Sequence, residues 1–265
     1  QFNHIEKKIT NKFLPPASSL NIYLNFMMNI LNGYEKNDPR STIVTDLLVK
    51  SISIARCILT MLIDGYETEA FSSWRTLHEC ECTLIILEKY GTPAIDSYIK
   101  HMNFGVAFKD GIPDKEQQDK VFYSMKDEMK EYDLKSKDIK KYIEYGWLYS
   151  IPGTKEDETF KLNFRDGLEK VAGLRDCSDR YELSSEIIHS TPLLIYSSKE
   201  YFYYVTLLSL YESFFRLEKV FVSLFEKRVS EENMQRYNAM RQVYFAQLTS
   251  IYNREMQIFN KFQNK

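Results

Sequence analysis

Arg75 and Glu79 lie four residues apart, and Tyr181, Ser185 and His189 follow one another at the same interval. On an α-helix that interval turns a side chain only about 40° past a full revolution, so each group presents on one face. The two segments offer a guanidinium, a carboxylate, a phenol, a hydroxyl and an imidazole. An imidazole moves protons near neutral pH and a guanidinium stabilises a developing phosphorane charge, which together suffice for metal-free transesterification of RNA. The competing interpretation is a buried polar network tying two helices. A plain surface ion pair explains less, because arginine ahead of glutamate is the less favourable order and contributes only a few tenths of a kcal/mol.

His189 precedes Thr191-Pro192, where a helix should stop. A histidine at a helix C-terminus feels the negative end of the macrodipole, which favours the imidazolium and suits a group that binds or protonates an anion. His78 projects close to Arg75 and reads as a packed or solvent-facing histidine. Glu186 and His189 make one Glu-x-x-His, but di-metal bundles need a second copy, which the other histidines do not provide. There is no Gly-x-Ser-x-Gly turn, Gly-rich phosphate loop, His-Glu-x-x-His or Cys-x-x-Cys. No cofactor and no metal are expected.

The 265 residues are 44% hydrophobic and 27% charged, with 19 Tyr and 17 Phe against 9 Gly and 7 Pro. Few breakers and many large side chains favour long helices. A net charge of −2 gives no overall basic field, so any binding of nucleic acid must come from a local site. Cys57, Cys80, Cys82 and Cys177 read as core residues or free thiols, since Cys80 and Cys82 point about 200° apart on a helix. Without a signal peptide or a bilayer-length apolar run, the expected location is the cytoplasm, with no membrane partner. Position 1 is Gln, which leaves the natural N-terminus open.

The elements that must position these residues follow from apolar periodicity. Pro15-Pro16 closes a polar leader, and Ser18 to Tyr34 carries Leu20, Tyr23, Leu24, Met27 and Leu31 at helical spacing. A second helix, Ser41 to Asp64, stops at Gly65, and a third, Glu67 to Tyr90, ends at Gly91-Thr92-Pro93. The tight join between them predicts an antiparallel hairpin. Ala94 to Lys109 is helical, Asp110 to Asp114 is a turn, and the mixed-charge stretch Lys115 to Lys141 reads as a solvated helical face. Ser150 to Thr154 is the strongest loop and a candidate flap or boundary. A short helix near Phe164 to Ala172, the helix Ser178 to Ser190, and long helices at Glu200 to Lys227 and from Ser230 complete the chain. Expected is one all-α domain over residues 1–265, a multi-helix bundle with a leader (1–17), a core (18–228) and a long C-terminal helix (230–262).

Gly65-x4-Ala70-x4-Arg75-x3-Glu79, followed by Tyr181-x3-Ser185-x3-His189, resembles a family of bacterial and phage-borne helical proteins known only as a domain of unknown function. The likeness runs from about Asp46 to Tyr211. More distantly, the chain resembles the HEPN helical superfamily, which includes metal-free ribonucleases of abortive-infection and toxin–antitoxin systems as well as non-catalytic binding modules. That resemblance implies a HEPN-like core, RNA as substrate, a homodimer and an antitoxin or defence-system partner. In HEPN ribonucleases a histidine follows the arginine after four to six residues. Here eight residues separate Arg180 from His189 and two separate Arg75 from His78. The resemblance thus carries over Arg75, Glu79, Tyr181, Ser185 and His189, with His189 as acid/base, Arg75 as charge stabiliser, and Tyr181 and Glu79 as orienting groups. The rival expectation is a non-enzymatic interaction or ligand-binding protein, with those residues as a structural network and the aromatic helix Glu200 to Phe225 as a partner surface.

Overall fold

A computed structural model of the chain describes residues 2–32, 38–109, 114–189, 198–226 and 230–263. Among them are ten α-helices and no strand. These are α1 (Phe2–Asn32), α2 (Pro39–Ile63), α3 (Glu67–Tyr90), α4 (Thr92–Phe108), α5 (Lys115–Glu131), α6 (Ile139–Tyr145), α7 (Lys170–Ala172), α8 (Ser178–Ile188), α9 (Lys199–Glu226) and α10 (Glu231–Gln263). The all-α expectation holds. Two compact units emerge, one from Gln1–Lys36, Thr45–Leu84 and Asp179–Lys265, the other from Asn37–Val44 and Ile85–Ser178.

In the first unit, α9 is the core helix. Every residue from Phe202 to Tyr211 is buried, which is the signature of a helix apolar on all sides rather than on one stripe. This corrects the expectation that the aromatic helix offers a partner surface: Phe202, Tyr203, Tyr204, Tyr211, Phe214 and Phe221 are interior. Leu20, Tyr23 and Met27 of α1, Leu48, Ile52 and Leu59 of α2, and Phe71, Trp74 and Leu77 of α3 are buried in the same unit, with Tyr23 5.3 Å from Phe214, Phe71 5.8 Å from Phe202 and Trp74 Nε1 donating to Ser213 Oγ at 3.0 Å. Glu218 of α9 is buried too, and accepts from Tyr23 Oη (3.2 Å), Tyr237 Oη (2.5 Å) and Arg241 Nε (2.7 Å). One carboxylate thereby joins α1, α9 and α10.

Two features differ from the sequence expectation. Helix α1 begins at Phe2 and runs through Pro15-Pro16 instead of starting at Ser18. Proline inside a helix costs about 3 kcal/mol, yet in the sequence Phe2, Ile5, Ile9, Phe13 and Ala17 continue the period of Leu20. In α10 the buried positions are Tyr237, Leu248, Glu255 and Phe259, whereas Ile258, expected on the apolar stripe, is exposed. Residues 33–37, 110–113 and 190–197 lie outside the described residues, and with them most of the Asp110 turn and the Thr191-Pro192 break.

The turn from α2 to α3 rests on Gly65, whose φ of +82° is left-handed. A Cβ there would meet nothing, so the backbone angle and not space demands glycine.

The second unit is built on Phe104, Met125, Met129, Tyr142 and Leu162. The stretch expected to be one charged helical face is broken: α5 ends at Glu131, Asp133 adopts a φ of +55°, and a 3₁₀ turn at Ser136–Asp138 leads into α6. Helix α5 turns Met125 and Met129 inward and leaves most of its charges exposed. Asp114 caps it, accepting from the backbone N of Glu116 (3.0 Å) and Gln117 (3.4 Å). A π-helical turn, Phe164–Glu169, precedes α7.

Candidate functional site

Helix α3 holds Arg75 and Glu79 beside its buried stripe of Ala70, Phe71, Trp74 and Leu77. Glu67 and Glu69 in its first turn and Lys89 in its last complement the helix dipole. Both polar side chains are partly exposed, Arg75 by 28% and Glu79 by 40%, so they border solvent. Helix α8 buries Tyr181, Ser184 and Ile187 and leaves Ser185 half-buried.

The two helices meet through these residues. Tyr181 Oη donates to Glu79 Oε1 at 2.6 Å. Arg75 sits over the Tyr181 ring, with Cζ 4.7 Å from the centroid, a cation–π contact. Its guanidinium also donates to Ser185 Oγ at 3.5 Å. Arg75 Nε is 3.3 Å from Glu79 Oε1, within ion-pair range, yet it is buried and not aligned for a hydrogen bond. Since Tyr181 meets Glu79 and Ser185 meets Arg75, α8 runs antiparallel to α3 along this seam.

Burial, then the hydrogen bond and charge of Glu79, push the Tyr181 phenol well above its ordinary range. Tyr181 is therefore a standing donor and not a base. Burial works against the charge of Arg75, but contact with Tyr181 and Glu79 raises its affinity for its proton overall. The guanidinium is permanently charged.

Of the residues singled out in the sequence, Arg75, Glu79, Tyr181 and Ser185 form one constellation. His189 stands apart from it: it follows the last residue of α8, its backbone N donates to Ser185 O (3.1 Å), and its side chain is exposed. Among the described residues its imidazole has no hydrogen-bond or ion-pair partner. Gly65 and Ala70 serve the turn and the core.

Beneath this seam lies a network that spacing did not reveal. His78 is fully buried; its Nδ1 lies 2.5 Å from Glu81 Oε1, and its ring stacks on Trp74 at 4.9 Å. Arg216 of α9 holds Glu81 with two hydrogen bonds, 2.9 and 3.1 Å. Burial opposes ionisation of Glu81, but the charge of Arg216 and the bond to His78 keep its carboxyl below the usual range. The His78 ring is 6.1 Å from that of Tyr181. Arg180, at 2.7 Å from Glu212 and 3.1 Å from Ser209 Oγ, links α8 to α9. A His-x2-Glu pair on one helix was the only visible signal; its arginine lies 135 residues on. Among the described residues no three His, Cys, Asp or Glu side chains cluster so as to hold a metal, and no helix is long and apolar enough to cross a membrane. No disulfide joins any two of the four cysteines.

Residues 41–201 match a family of unknown function, DUF5677. The matched span includes α3 and α8 entire, and with them all five residues from Arg75 to His189. Comparison with curated proteins and with solved structures gave no match. With more than half its length matched, the chain belongs to the DUF5677 family.

Proposed function

We propose that this DUF5677 member acts on RNA at the seam of α3 and α8, as a HEPN-like, metal-independent ribonuclease of the kind used as toxins in phage-defence and abortive-infection systems. The observation that supports it is the placing of a partly exposed, permanently charged Arg75 against Ser185, one helical turn from the exposed imidazole of His189. In such a reaction the ribose 2′-oxygen attacks the adjacent phosphorus, the 5′-oxygen leaves, and a 2′,3′-cyclic phosphate remains. His189 takes or returns the proton, Arg75 faces the charge that builds on the phosphoryl oxygens, and Ser185 steadies the guanidinium. Glu79 and Tyr181 orient Arg75 from its other side. The arginine and histidine come from two helices instead of one short motif, and by the HEPN resemblance a homodimer would pair two such faces, with an antitoxin or defence partner restraining them.

A second reading has its own observation. Tyr181 and Glu79 already engage one side of Arg75, as a structural clamp between helices would. The two readings part on variants. Incubation of the purified protein with total RNA and end-group analysis should give cyclic phosphate termini, lost in His189→Ala while its melting temperature stays within about 1 °C of wild type. Intact RNA together with Arg75→Ala melting several degrees lower would establish the clamp and discard the ribonuclease.

A further inference from the structure

In the second unit a cleft of about 450 Å³ opens between α4, the end of α5, α6 and the segment up to Lys155. That volume suits a small metabolite rather than a polymer. Its charges cancel almost completely. Asp96 is held by Arg40 through two hydrogen bonds (2.5 and 2.8 Å), and Glu128 accepts from Lys100 Nζ (2.8 Å) and Tyr142 Oη (3.1 Å). Lys155 remains: among the described residues it has no carboxylate partner, and its ammonium sits 4.6 Å over the Tyr132 ring. Of the two lysines in the lining, Lys155 is the one without a carboxylate partner among the described residues, since Lys100 is paired with Glu128 and Asp96 is paired with Arg40 from outside the lining.

The rest of the lining offers acceptors. Buried His101 lines the cleft, and its Nδ1 donates to Tyr142 O at 2.9 Å, which leaves Nε2 as an acceptor. Burial keeps this ring neutral, lowering it to about 4. Ser97 and Ser150 both donate to Trp147 O (3.3 and 2.7 Å), so their oxygens too keep lone pairs for a ligand. Gly146 completes the lining because a Cβ there would come within 2.5 Å of His101 Cε1 and of the Tyr142 ring.

From this polarity we infer that the cleft binds a small hydroxylated carboxylate, its anionic group on Lys155 and its hydroxyls donating to His101 and the two serines. One lysine free of a carboxylate partner matches a monoanion better than a phosphate ester, and the acceptors of the lining call for a ligand with donors of its own. None of its lining residues belongs to the proposed ribonuclease face.

D-gluconate is the probe, with glucose and glucose 6-phosphate as controls for charge and for phosphate. Calorimetric titration of the full chain should show gluconate binding, and gluconate at about tenfold its Kd should raise the melting temperature by a few degrees. Lys155→Met, a change at an exposed position, should weaken binding tenfold or more without altering the ligand-free melt, and Lys155→Arg should restore it. Equal binding of gluconate and glucose, unchanged binding in Lys155→Met, or binding of glucose 6-phosphate alone would overturn the assignment.

Discussion

Tyr181 carries two interactions at once, a hydroxyl bonded to Glu79 and a ring under the guanidinium of Arg75. Tyr181→Phe removes the first and keeps the second. Because Glu79 is 40% exposed, water replaces the lost donor, and the expected cost is only about 1 kcal/mol, read as a fall of roughly 2–4 °C in melting temperature. At this scale the spacing was informative: four-residue intervals put Arg75 with Glu79 and Tyr181 with Ser185 on common faces, and the structure brings those faces together. Spacing could not say that His189 would project past the end of α8, exposed. Nor could it say that His78 would be buried against Glu81 and Arg216, because the partner that makes a buried histidine tolerable comes from another helix.

Helices were legible where period and punctuation agree. Helix α3 begins at Glu67 and ends at Tyr90, as its apolar stripe and Gly91-Thr92-Pro93 imply. Where they conflict punctuation need not decide, as in α1, which runs on through Pro15-Pro16. The cap of α5 illustrates a local rule that acts alone. Asp114→Ala removes the acceptor for two backbone donors, and chemical denaturation should register a loss of about 1 kcal/mol, recovered in good part by Asp114→Ser. The Ser150 to Thr154 loop was a candidate boundary, yet the units divide elsewhere, and Ile151 and Thr154 are buried. Polar turn residues mark where a chain bends, and packing determines whether the bend is also a border.

Acid should weaken the molecule in two steps. Burial lowers His101 from an ordinary value near 6.5 to about 4, helped by Lys100 and opposed by its bond to Tyr142 O and by Glu128. The unfolded chain therefore binds that proton more readily. Stability from His101 is complete above about pH 6.5 and is lost as pH falls toward 4, about 3 kcal/mol in all. Glu81, held below the usual carboxylate range, contributes above the ordinary carboxyl value and is lost only on further acidification. Urea midpoints from pH 7 to 4.5 should fall steadily in wild type and much less in His101→Gln, whereas an equal slope in both would refute the assignment. By itself the sequence determined the helical class, most helix positions and the pairing of polar residues along each face, because those depend on contacts within a few residues. Tertiary structure alone decided that α9 is interior, that Glu81 and Glu218 are buried with arginines, and that a cleft forms around His101. Burial and charge pairing depend on residues 20 to 200 positions apart, which no local pattern encodes.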